Sequence, residues 1–250
     1  MPALKADIIT QLKKELLALQ GFRPLVHAHQ QIDLGTINHS FPNSQFPLGV
    51  NHEFICNHAE GVTASSGFIA GILSSLLQKG SANAKASADK GAVVWISSSQ
   101  IIFPPALVSF GIDPSQLIFI HLKKDLLWTI EEALKCEGLV AVVGEIASID
   151  LTASRRLQLA AEQSRVTGFL LRNNPKQLFT TAFTCRWQIQ PLQSETSDGL
   201  PGIGFPRWQV ELLKVRNGKP GSWQLEWVNG KFQLVTTKSS LHTDEHKQAV

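Results

Sequence analysis

At 250 residues, with 43% hydrophobic and 17% charged content, the chain has enough apolar material for one well-filled domain and too much for a disordered one. A net charge of +3 is mild: it permits contact with nucleic acid without arguing for it. Three well-separated cysteines, Cys56, Cys136 and Cys185, read as buried reduced thiols. Without a Cys-x-x-Cys pair they point away from a zinc ribbon or a thioredoxin-like site.

The chain opens on an amphipathic helix over residues 1–21. Leu4, Ile8, Leu12, Leu16 and Leu19 recur at three- and four-residue spacings, Ile9 and Leu17 widen the stripe, and Gly21 ends it. Lys5, Lys13, Lys14 and Glu15 lie elsewhere on the wheel, so the segment is no signal peptide. No window reaches the apolar run of a transmembrane helix, and a cytoplasmic protein without membrane contact is expected. The apolar stripe either packs on its own domain or docks on another protein, and both readings stay open. Residues 22–52, with Pro24, Gly35, Pro42, Pro47 and Gly49, read as an irregular approach to the core. His27 and His29 share one face of an extended segment, a spacing a metal could use. No third ligand stands nearby in a metal motif, so no metal is expected.

A core domain is predicted over residues 22–237. Glu53–Cys56 reads as a strand, Asn57–Gly67 as a small-residue loop and Phe68–Leu77 as a buried helix. Strand, glycine-containing loop and helix is the layout of a P-loop. That loop needs a Lys on the terminal phosphate and a hydroxyl on Mg²⁺. Gly61 and Gly67 are present, but Phe68 and Ile69 stand where Lys and Ser/Thr belong, and they would fill the space instead. No cofactor is expected. A polar, mobile loop over residues 80–91 leads to strands at Ala92–Ile96 and Leu117–Ile120. A helix over Lys124–Lys135 carries Leu126, Leu127, Ile130 and Leu134 on one face. A strand at Leu139–Val143 follows, then a helix beginning near Asp150 with Thr152 as its cap, then a strand at Thr167–Leu171. Continuous apolar strands alternating with helices predict a parallel sheet covered on both faces. After Asn174-Pro175 the pattern alternates, in Thr181–Ile189, Trp208–Val215, Trp223–Trp227 and Lys231–Val235, with turns at Gly218, Gly221 and Gly230. This predicts an antiparallel extension of the sheet, and residues 238–250 a flexible tail.

The acidic groups of an ATPase are also thin. Its second strand should deliver a Glu that activates water. Here Trp95-Ile96 runs into Ser97-Ser98-Ser99-Gln100, and Gln can orient water but cannot take its proton. Glu145 follows the fourth strand near the Walker B position. The phosphate Lys, the hydroxyl and the second-strand Glu are missing together, which predicts a pseudo-ATPase and no enzyme. No G-x-S-x-G elbow surrounds Ser97–Ser99, and the glycines of Gly199–Gly204 read as a loop. Arg207, Lys214, Arg216 and Lys219, with Trp208 and Trp223, could form a basic aromatic surface for single-stranded nucleic acid. Equally, the tryptophans are core and the charges a solvated face.

Three passages resemble the ImuA family, RecA-like proteins of SOS-induced mutagenesis cassettes. They are Leu48–Glu53 leading through the Lys-less loop to Gly67-Phe68, Asp150–Glu162 with Arg155-Arg156 inside, and Gly204–Trp227. The resemblance implies an α/β fold with a RecA-like core and no working nucleotide site. It implies an adaptor that acts with an ImuB-like relative of Y-family polymerases and, indirectly, with an error-prone C-family polymerase in translesion synthesis. RecA is a further partner it suggests. Through Leu4–Leu19 the chain could dock on RecA or on a second copy of itself. Two rivals stand beside this reading: a DNA-binding module, and an ATPase with an unusual phosphate loop.

Overall fold

The computed structural model describes residues 32–83, 91–99, 102–195 and 203–235. The amphipathic segment with Leu4, Ile8, Leu12, Leu16 and Leu19, the His27/His29 pair, most of the loop expected over 80–91 and the tail 238–250 lie outside the described residues.

In chain order the elements are β1 (Asn51–Cys56), α1 (Ala59–Asn83), β2 (Ala92–Ser97), β3 (Leu117–His121), α2 (Leu126–Leu134), β4 (Leu139–Ile146), α3 (Leu151–Ser164), β5 (Thr167–Asn173), β6 (Cys185–Leu192), β7 (Arg207–Val215), β8 (Gly221–Val228) and β9 (Lys231–Leu234). The strands form one nine-stranded sheet in the order β3-β2-β4-β5-β1-β6-β7-β8-β9. This is the α/β, RecA-like core expected: a mostly parallel sheet flanked by helices, with antiparallel C-terminal strands.

The switch to antiparallel pairing comes one strand later than the hydrophobic pattern suggests. β6 runs parallel to β1, with Glu53 opposite Arg186, and only β7, β8 and β9 alternate in direction. The alternation in β6 has another cause. Cys185, Trp187 and Ile189 are buried against α1, whereas Gln190 on the opposite face is exposed. A strand covered on one side alternates whatever its partner's direction.

α1 covers one face of the sheet. Its Phe68, Ile69, Ile72 and Leu76 pack with Phe54, Phe169, Trp187, Trp208, Trp227 and Phe232. α2 and α3 cover the other face, where Ile130, Leu134 and Leu157 pack with Val142, Leu170 and Phe183. On length and composition α1 could cross a membrane, contrary to the expectation that no window would. Its span Ala59–Gln78 has a mean hydropathy of 1.2 but is 72% buried, because aromatic side chains of the sheet cover it. The helix runs past Gly80 to Asn83. Two smaller expectations also change. Asp150, not Thr152, caps α3, its Oδ1 accepting from the Ala153 N–H at 2.7 Å. Cys136 is exposed just beyond α2, while Cys56 and Cys185 are buried.

The connection from β5 to β6 returns across the α3 side of the sheet without a helix. A buried charge network holds it there. Glu53, fully buried, accepts from Arg172 Nη1 at 2.8 Å, Arg186 Nε at 2.7 Å and the Thr181 hydroxyl at 3.0 Å. The two guanidinium groups also donate to the carbonyls of Gln177 and Phe179. One carboxylate thus fixes β1, β5, β6 and the crossing segment together.

Candidate functional site

In open α/β sheets, ligands bind beyond the carboxyl ends of the parallel strands. Here that region contains the junction of β1 with α1, the end of β4 with Glu145, and the ends of β2 and β3.

The junction corrects the sequence reading. Asn57 and His58 alone connect β1 to α1, and the helix begins at Ala59 within the segment read as a loop. Gly61 and Gly67 are therefore helix residues, Gly61 in the first turn and Gly67 further along. A Cβ at Gly67 would stand 3.3 Å from the Trp208 ring, so this glycine lets α1 approach the sheet. Phe68 and Ile69 are fully buried, about 14 Å along the helix from its first residue at ~1.5 Å per residue. They occupy the core itself. Phe68 lies 5.9 Å from Trp187 and 5.1 Å from Phe232, centroid to centroid. The first turn of α1 carries Glu60, which places a carboxylate where a helix N-terminus would otherwise attract an anion. The loop reading failed because Gly, Ala, Ser and Thr suit a tight helix–sheet contact as well as a turn.

Glu145 sits inside β4 near its carboxyl end and is 4% exposed. The Ser99 hydroxyl donates to its Oε2 at 3.0 Å. Burial pushes the carboxyl above its usual range, and the Ser99 bond partly offsets this. The neighbouring Cys56 thiol donates to Ser65 Oγ at 3.5 Å and burial pushes it up to about 11, so it is an inert thiol. Among the described residues no group of three or more His, Cys, Asp and Glu could hold a metal ion. Ser97, Ser99 and His121 line a cavity of about 440 Å³ over the ends of β2 and β3, walled by Trp95, Phe103 and Phe119. The pattern of apolar strands gave no signal for this cavity, because it forms between strand ends and the segment after β2.

The cations proposed for nucleic acid are spread along β7 and the turn after it, and three of the four are engaged locally. Arg207 begins β7 and Lys214 is near its end, roughly 23 Å away at ~3.3 Å per residue. Arg207 is paired with Glu195 at 2.9 Å and with Glu226. Lys214 donates to the Thr181 carbonyl at 2.8 Å, and burial lowers its pKa. Arg216 bonds the Ala182 carbonyl at 3.0 Å and lies 3.5 Å from Glu162. Lys219 is exposed, its backbone N–H tied to Ser40 O. Trp208 is buried and Trp223 packs against the same core. Of the arginine pair in α3, Arg156 bridges to Glu131 of α2.

No family model matches the chain. Protein ImuA from each of two strains of Caulobacter vibrioides is 33% identical to it, over 76% of this chain and 80% of the relative. With a RecA-like sheet and similarity over that extent, the chain belongs to the ImuA family.

Proposed function

We propose that the protein is a non-catalytic, RecA-like adaptor of damage-induced translesion synthesis. It would act in the cytoplasm, linking an ImuB-like relative of Y-family polymerases to an error-prone C-family polymerase, with RecA as a further contact. The observation that carries the non-catalytic part is the β1–α1 junction. Two residues are too few for a cradle of backbone amides, Glu60 repels phosphate from the helix end, and Phe68 and Ile69 fill the core. Glu145 then has no triphosphate to serve, and its burial beside Ser99 is structural. Family membership supports the assignment to a mutagenesis cassette.

Titration calorimetry with Mg-ATP and a phosphate-release assay test this reading. No binding and no turnover are expected from the native chain, and Glu145→Gln should change neither. Magnesium-dependent turnover that Glu145→Gln abolishes would contradict it and favour an ATPase with an unusual phosphate site.

A further inference from the structure

We propose that the open edge of β3 and the cavity beside it form a docking groove for an extended acidic peptide with an aromatic anchor, carried by a partner protein. β3 ends the sheet, and among the described residues no strand pairs with its outer side. Backbone groups along a strand alternate in direction. The Leu122 N–H bonds to Ser97 O at 3.0 Å, so the even-numbered residues of this strand face β2. The N–H and C=O of Phe119 and His121 accordingly point outward. The edge also lacks the usual protection. Leu117–His121 contains no proline or lysine and pairs with β2 without a bulge. Ile118 and Phe119 are 48% and 41% exposed on opposite faces of it.

The cavity sits where such a peptide would cover it. Phe119, Ile120 and His121 form one wall, Trp95 is buried at its base, and Phe103 forms the outer lip. Its walls are mainly apolar, and the Ser97 and Ser99 hydroxyls inside could meet the polar tip of a Tyr or Trp. Charge selects the peptide's sign. At its carboxyl end β3 runs directly into Lys123 and Lys124, both exposed, followed by the exposed Asp125, while the exposed Asp113 lies before its other end and Glu145 is buried. Strand addition supplies main-chain hydrogen bonds, the cavity an anchor, and the lysines a preference for an acidic flank.

The inference deepens the adaptor reading and rests on it for the existence of a partner. Its test is fluorescence polarisation of the full chain with a fluorescein-labelled peptide of sequence TVWVTDDE, beside a peptide of the same composition in scrambled order. The ordered peptide should bind more tightly. Binding should weaken about tenfold, the size of one hot-spot contact, in Phe119→Asp and in the double variant Lys123→Glu, Lys124→Glu. Both changes are at exposed positions, and unchanged melting curves would establish that the variants fold. Equal binding of the two peptides, or binding indifferent to both variants, overturns the proposal. So does concentration-dependent dimerisation that Phe119→Asp abolishes, since a second copy would then occupy the edge. None of these outcomes depends on ATP turnover or on recovery of a polymerase relative, so the groove can fail while the adaptor reading stands.

Discussion

Within the aromatic layer, His52 is held as a neutral imidazole. Its Nδ1 accepts from the Trp187 indole N–H at 3.2 Å, which leaves Nε2–H to donate to the Pro47 carbonyl at 2.7 Å. The Phe46 ring stacks on it at 4.5 Å, and the side chain is fully buried. Burial lowers its pKa from 6.5 to about 4. The unfolded chain takes up this proton below 6.5 and the folded chain does not until about 4. Stability is therefore complete above pH 6.5 and falls across that window, by roughly 3 kcal/mol from this group. Urea denaturation from pH 7 to pH 4 should show a steeper acid loss in the native chain than in His52→Gln; parallel curves would mean that the ring is protonated in the fold. Glu53 is the second residue of consequence. Its removal leaves Arg172, fully buried, without its carboxylate. Glu53→Gln should cost about 3–5 kcal/mol in urea denaturation, and a loss under ~1 kcal/mol would show that the network is dispensable.

Among the elements, α1 packs most closely on the aromatic layer of the sheet. Its small residues serve approach to the sheet. A Cβ at Gly71 would stand 2.5 Å from the Phe232 ring and 3.0 Å from the Trp227 ring. Gly71→Ala gains up to about 1 kcal/mol of helix propensity but overpacks the aromatic layer by ~1–3 kcal/mol. A lowered melting temperature is expected, and a raised one would mean that the layer yields freely. This packing also marks the limit of what the chain reveals unaided. The apolar runs of β2, β4 and β5 were legible because strands buried on both faces admit little else. The start of α1 was not, since Gly61, Ser65, Ser66 and Gly67 read as loop until the tryptophans opposite them are known. β6 misled in the same way: one-sided burial imitates an antiparallel strand, and only its register with β1 separates the two.

At the scale of the whole molecule, the fold is a RecA-like core whose first helix, α1, is packed into the sheet through Phe68 and Ile69. That Phe68 and Ile69 fill space was legible in the sequence; their place, inside the helix and well beyond its first turn, was not. The two-residue junction and the Glu60 carboxylate were not, because both depend on where the helix begins. The local partners of the basic residues were not legible: Arg207 pairs with carboxylates and Lys214 and Arg216 bond backbone carbonyls, which local composition does not reveal. Among the described residues, β3 with its cavity lies at one open edge of the sheet, and β9 lies at the other. The central claim is that the chain works by binding proteins of a mutagenesis assembly without turning over nucleotide. Affinity capture of the full-length tagged chain from DNA-damaged cells, followed by mass spectrometry, tests it most directly. The account predicts recovery of the ImuB-like polymerase relative, undiminished by Glu145→Gln and by removal of ATP. Failure to recover that relative, or recovery only with ATP and an intact Glu145, would contradict it.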